Sequence, residues 1–272
     1  EALVAAGVKR MSVGAQSFVD TELRALGRAH RSSDIVAAVS AIRQAGISNL
    51  SLDLIFGIPG QSTHSWLYSL DQALSLAPAH VSTYCLTFEP GTRFHSLREA
   101  GKLERKTEEE ELELYETAHE MLTSAGYEHY EISNFAVPGK RSAHNLVYWF
   151  NEEYLGLGAN AVSYIGGKRI RNAQDPSAYI EAITQGGDAV EEVEEIPPRM
   201  RAIETMIQRL RLSEGIECSS FSDRFGAHPA ELFGDSFAEL SQEGLLELRN
   251  GELRSTFHGW RLANEVALRL LP

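Results

Sequence analysis

Two stretches of the chain, AAGVKRMSVGAQ and QAGISNLSLDLI, match at a constant offset of 39 residues, which sets Gly7 on Gly46, Ser12 on Ser51 and Gly14 on Asp53. That spacing is the length of a strand, its loop, a helix and the return, so it predicts successive βα units. A partial third copy follows. AHVSTYCLTF reads as a strand, and SAGYEHYEISNF as a helix end at Gly126 running into another strand. Glycine at each helix end supplies the left-handed residue that lets the chain turn back.

Helical patterns fill the intervals: DTELRALGRAH, SDIVAAVSAIRQAG with Ser33 or Ser32 as its cap, STHSWLYSLDQALSLA ahead of Pro78, and TEEEELELYETAHEMLTSAG capped by Thr107. The acidic run of the last, Glu109 and Glu110 included, reads as a solvated face with negative charge near a helix start. Alternating strands and helices predict a mainly parallel sheet with right-handed crossovers. From Pro197 the pattern changes. Helices at RMRAIETMIQRLRL, CSSFSDRFG and ELFGDSFAELSQEG precede a hairpin whose turn is Asn250-Gly251. The expected organisation is therefore a barrel-type portion over 1–196 and a winged-helix-like module over 197–272. The opening EALVAAG reads as the last turns of a helix, so a fragment is expected.

Composition excludes several classes of function. A net charge of -13 over 272 residues opposes a nonspecific grip on nucleic acid or an anionic membrane. Winged helices suggest DNA, but from Arg199 to the end nine arginines face eleven acidic residues, and no basic stripe marks a recognition helix. No apolar run is long enough to span a bilayer and the first residues lack a signal-peptide layout, so a cytoplasmic location is expected. Cys85 and Cys218 lie too far apart to write a disulfide framework or a local metal pair.

Ligands in α/β folds sit at the carboxyl ends of the parallel strands, which here present Gln16, Asp53 and Thr87. Asp53 precedes LIFGIPGQ, a glycine-rich turn that lets backbone approach a ligand, and its carboxylate can accept from both hydroxyls of a ribose. Arg28 offers a fork for a ligand carboxylate. The plain alternative is that Asp53 caps the next turn and Arg28 pairs with a nearby acid. HNLVYW, His144 to Trp149, would stack His144 over Tyr148 and Asn145 over Trp149 if helical. On composition alone Tyr148 and Trp149 read as core.

GVKRMSVGAQSFVDTELRALGRAH, LSLDLIFGIPGQS and YEISNFAVPGKRSAHNLVYW together resemble the radical S-adenosylmethionine family of oxygen-independent coproporphyrinogen III oxidases and the related haem chaperones. The resemblance covers nearly the whole chain. It implies a partial (β/α) barrel, its C-terminal half only, followed by a small helical winged-helix-like domain. It implies S-adenosylmethionine binding by Gln16, Arg28 and Asp53, with Thr87 as a further contact. The HNxxYW pattern of His144, Asn145, Tyr148 and Trp149 looks like the chaperone branch, which implies haem bound there, His144 at or near the iron, and transfer to haem-dependent respiratory proteins. A homodimer and peripheral membrane contact stay open. The oxidase, a radical enzyme decarboxylating coproporphyrinogen III, is the alternative, and a cluster-free scaffold a third.

Two departures stand out. The family's CxxxCxxC, which holds a 4Fe-4S cluster, is not in this sequence, so the cluster is expected only in a longer protein. Where relatives usually carry glycine and histidine, YLGLGANAVSY has Asn160 and Val162.

Overall fold

The structure is a computed structural model that describes residues 2–271; Glu1 and Pro272, at the two ends of the sequence reading, lie outside the described residues. The chain divides into two compact units, one up to Arg141 and one from Ser142 onward.

The first unit begins α1 (Ala2–Ala5), β1 (Arg10–Gln16), α2 (Asp20–Ala25), α3 (Ser32–Gln44), β2 (Asn49–Phe56) and α4 (Thr63–Ser75). It continues β3 (His80–Cys85), α5 (Arg93–Glu99), α6 (Glu108–Ser124), β4 (Glu128–Glu131) and β5 (Asn134–Ala136). Its sheet has the order β1-β2-β3-β5-β4 and stays open. β1 pairs with β2 in parallel, Ser12 opposite Ser51 and Gly14 opposite Asp53, so the sequence repeat is also the pairing register. Gly7, Gly46 and Gly126 take φ of +87°, +92° and +88°, the left-handed values predicted for the helix ends.

Strand β2, NLSLDLIF, alternates polar and apolar residues from Asn49 to Leu54, as a half-polar strand does. Leu50, Leu52 and Leu54 are fully buried, and the other face carries Ser51, Asp53 and Ile55. Buried positions recur four apart on the covering helices: Ile35 and Val39 on α3, Trp66 and Leu70 on α4, Leu114, Ala118 and Leu122 on α6. Each leucine so buried contributes ~1.5–3 kcal/mol.

Three expectations are corrected in this unit. The sheet is parallel only through β3, because β5 runs antiparallel to both β3 and β4. Only Ile132 and Ser133 separate β4 from β5, too short a link for a crossover helix. Neither Ser32 nor Ser33 caps α3: Arg31 holds the cap position, its N–H donates to Asp34 at 2.8 Å, and the Ser32 N–H donates to Asp20 at 2.9 Å. The acidic run of α6 is not all solvated. Thr107 and Glu110 form the capping box, but Glu111 is buried and accepts two bonds from Arg105, at 2.8 and 2.7 Å.

The second unit begins α7 (Ala143–Trp149), β6 (Val162–Ile165), β7 (Lys168–Asn172), α8 (Pro176–Thr184), β8 (Val190–Glu195) and α9 (Pro198–Arg209). It continues β9 (Ile216–Glu217), α10 (Cys218–Phe225), α11 (Pro229–Gln242), β10 (Leu246–Arg249), β11 (Glu252–Ser255), α12 (Phe257–Arg261) and α13 (Ala263–Leu270). Strands β6, β7 and β8 form an antiparallel meander that the sequence reading did not separate. The expected hairpin is β10–β11, with φ of +54° at Asn250 and +82° at Gly251. Helices α12 and α13 extend the module beyond three helices, and Val266 and Leu270 of α13 join Met206, Phe221, Leu240 and Leu253 in one core. Packing places residues 142–196 with this module instead of with the barrel portion. Buried Asn151 donates to Thr205 at 2.9 Å and its carbonyl accepts from Arg224 at 3.1 Å, tying the α7 region to α9 and α10.

Two histidines, one buried and one half-buried, give the first unit a pH signature. Fully buried His80 is bonded to Ser51 and Tyr130, each at 2.8 Å, and desolvation pushes its pKa down to about 3. His129, stacked on Phe135 at 3.9 Å, is pushed down to about 3 by the same cause. Both are neutral when folded, so the unfolded chain binds more protons below its ordinary histidine pKa, and stability present above about pH 6.5 is lost as pH falls toward 3. Urea unfolding between pH 6.5 and 5 is expected to lose stability with a slope approaching about 1.4 kcal/mol per pH unit per histidine. His80→Asn should flatten that slope, and a pH-independent wild-type stability would contradict the account.

Candidate functional site

The polar face of β1 and β2 builds the first candidate site. Parallel register places Ser12 beside Asp53, and the Ser12 hydroxyl lies 2.9 and 2.8 Å from the two carboxylate oxygens. Gln16 closes β1 with φ of +65° at a break in the ladder. Its side chain folds back over Gly14, where a Cβ would lie 2.6 Å from Nε2. The Gln16 amide therefore occupies the space that a side chain at residue 14, the strand partner of Asp53, would fill.

The turn after β2 holds itself without Asp53. Gly57 and Gly60 take φ of +76° and +80°, and the Gln61 N–H donates to the Ile58 carbonyl at 2.9 Å. Asp53 accepts from Ser12 and Ser51 instead of from that turn, so the capping alternative is not met. Behind the β1 end, buried Glu22 accepts from Ser17 at 2.6 Å, Ser65 at 2.6 Å and Gln61 at 3.2 Å. This hub fixes Ser17, the residue after Gln16, and sequence reasoning missed it. Ser12 was missed too, although its alignment with Ser51 in the repeat was a signal.

Arg28 follows α2 and is exposed, and among the described residues no acid lies within ion-pair distance of it. Thr87 is exposed two residues beyond β3. Among the described residues no hydrogen bond joins Gln16, Arg28 or Thr87 to Asp53, whose side-chain partners are Ser12 and Ser51.

The second site is α7. Ser142 caps it by accepting from the Asn145 N–H at 3.4 Å. None of its residues is buried, which corrects the reading of Tyr148 and Trp149 as core. His144 is exposed, and its Nε2 lies 3.1 Å from the Tyr148 hydroxyl with the rings edge to face at 5.1 Å, the predicted one-turn stacking. Trp149 instead faces Arg211, whose guanidinium sits 4.6 Å from its ring, and Phe150 faces Arg209 at 4.5 Å. Asn160 takes φ of +59° and Val162 opens β6, so those two departures occupy a turn and a strand start. Exposed Leu155 and Leu157 follow α7, an apolar surface the motif did not reveal.

A cluster does not fit these residues. Desolvation and nearby Glu111 push the Cys85 thiol up to about 12, far from the thiolate that iron requires, and buried Cys218 belongs to the other unit. Among the described residues no three His, Cys, Asp or Glu side chains gather for a metal. No helix there is long and apolar enough to cross a membrane.

Comparison with known proteins places this geometry. The family model described as the radical SAM superfamily matches residues 1–73, and the HemN C-terminal domain matches 196–262. The heme chaperone HemW of Bacillus subtilis is 38% identical over 96% of this chain and 69% of its own length. The chain belongs to the HemW heme-chaperone family of radical SAM proteins. The Lactococcus lactis HemW is 32% identical over 99% of the chain and 70% of its own length. A mouse radical S-adenosyl methionine domain-containing protein, named as mitochondrial, is 31% identical over 98% of the chain and 63% of its own. The solved coproporphyrinogen III oxidase HemN of Escherichia coli superposes with a TM-score of 0.82 at 22% identity, covering 98% of this chain and 65% of HemN, a likeness of fold. The partial barrel of this HemW-family chain follows from that likeness and from its open sheet.

Two glycines of the sites separate flexible from rigid crowding. At Gly14 an added methyl meets only the end of the Gln16 side chain, whereas at Gly156 it meets the backbone of Val162. Gly14→Ala is expected to lower the thermal midpoint by no more than about 4 °C, the equivalent of ~1 kcal/mol in a domain of this size, and Gly156→Ala by several times that. Circular dichroism melts check this, and equal losses would show that the Gln16 amide is locked in place.

Proposed function

We propose that this chain is a haem carrier, binding haem at α7 through His144 and handing it to haem-dependent respiratory proteins. The observation that carries the reading is His144 itself, an exposed imidazole oriented by Tyr148 on a helix with no buried residue, in a chain whose relatives are named heme chaperones. With Nε2–H donating to the Tyr148 oxygen, the Nδ1 lone pair of His144 would be the one left for iron, a second-sphere orientation common to metal-binding histidines. Tyr148, Trp149 and Asn145 line the same helix, and exposed Leu155 and Leu157 supply the apolar contact a porphyrin needs. Residues 197–272 serve in this reading as a winged-helix-like docking module.

S-adenosylmethionine belongs to the other unit. Asp53 would accept from its ribose hydroxyls, Gln16 would bond the same ligand, and Arg28 and Thr87 would meet it from the rim. When bound beside a reduced cluster, S-adenosylmethionine supplies a 5'-deoxyadenosyl radical. These residues bind and orient, and the chain provides no cluster ligands of its own.

An anaerobic haem titration followed at the Soret band tests the first site. Saturable binding weakened at least tenfold in His144→Ala is expected, and binding indifferent to His144 would contradict the proposal. For the second site, Asp53→Ala is expected to weaken S-adenosylmethionine binding at least tenfold with an unchanged circular dichroism spectrum. Unchanged affinity would remove Asp53 from the site.

A further inference from the structure

The second unit contains a cavity of about 330 Å³ walled by Tyr164 of β6, Arg199 and Arg201 of α9, Arg224 and Phe225 of α10, and Leu232 of α11. Three guanidinium groups border it, and no acidic residue does. Among the described residues none of the three has a carboxylate within ion-pair distance, in a chain whose net charge is -13. The Nε of Arg201 is buried without a hydrogen-bond partner. Such a group costs free energy unless a ligand completes it.

The surrounding backbone accommodates this arrangement. Gly167, in the turn between β6 and β7, makes room for Arg201, since a Cβ there would lie 2.8 Å from Nη1. Arg224 donates to the Asn151 carbonyl at 3.1 Å and lies 4.9 Å from the Phe225 ring centroid, which orients its plane while leaving donors over. Helix α9 starts at Pro198 with no side-chain cap, so its positive end has the same sign as the arginines. Arginine forks match carboxylates, and the Tyr164, Phe225 and Leu232 walls match a short hydrocarbon arm. The volume suits such an arm and is too small for a whole tetrapyrrole.

An aromatic ladder leads from this cavity to His144. Ring centroids are 6.4 Å apart from Tyr164 to Tyr154, 4.7 Å from Tyr154 to Tyr148 and 5.1 Å from Tyr148 to His144. Buried Tyr164 ends this row at the cavity wall and exposed His144 begins it, so the imidazole and the arginine cluster are joined by one packed row of rings.

We propose that the Arg199, Arg201 and Arg224 cavity is a carboxylate subsite that takes the propionate arms of the porphyrin, an inference that rests on the haem reading above. Esterified propionates keep the ring and iron but lose the charge, so haem dimethyl ester separates the two claims, and metal-free protoporphyrin IX removes the iron. The wild-type chain is expected to bind haem and protoporphyrin IX at least tenfold more tightly than their dimethyl esters. In Arg199→Ala/Arg201→Ala, checked for folding by circular dichroism, acid and ester should bind alike at the ester's level. Equal wild-type affinity for acid and ester overturns the subsite, and if haem binding still depends on His144 the haem reading survives. Failure of the wild type to bind any of the four porphyrins overturns both.

Discussion

The parallel pairing of β1 with β2 is the contact on which the first unit depends. Its register sets Gly14 opposite Asp53, and the Gln16 amide occupies the space that a side chain at residue 14 would fill. Ser12 then meets both oxygens of Asp53, while the opposite face of β2 buries three leucines. Slipping the register by one residue would turn Asp53 into the core and the leucines out of it, which is why core and site are fixed together. Glu22 adds the support behind: a buried carboxylate satisfied by Ser17, Ser65 and Gln61 ties the end of β1 to the turn after β2 and the start of α4.

The second unit is organised around arginine and aromatic rings. In an acidic chain, Arg209 and Arg211 lie over Phe150 and Trp149, and Arg199, Arg201 and Arg224 border a cavity. Burial lowers the pKa of Arg209, yet an arginine remains charged, so the charge is held at a cost in desolvation. Unpaired charge near exposed apolar and aromatic surface matches a ligand that is itself flat, apolar and acidic at its edge. The same helix α9 faces α7 at one end and the cavity at the other, so the proposed iron and carboxylate contacts are built on one scaffold.

Local patterns carried much of this fold in the sequence. The offset of 39 residues, the helix-ending glycines and the Asn250-Gly251 turn are written in local sequence, and each is realised. What escaped was set by distant partners. Asp20 takes the Ser32 N–H from across a loop, the two-residue link between β4 and β5 reverses the sheet direction, and Asn151 pulls the α7 region toward α9. For the sites, Gln16 was legible at a strand end and His144 in a motif, whereas Asp53, expected at a strand end, lies inside β2, three residues before Phe56. Ser12, Glu22 and the convergence of Arg199, Arg201 and Arg224 were not legible, because their partners come from separate elements.

The central claim is that His144 is an iron ligand. Resonance Raman spectroscopy of the ferrous haem complex, prepared with histidine labelled by nitrogen-15, tests it most directly. The account predicts an iron–nitrogen stretching band that shifts on labelling and disappears in His144→Ala. A spectrum without a label-sensitive band, or one unchanged by the substitution, would contradict it and leave α7 as a helix that merely displays its aromatic residues.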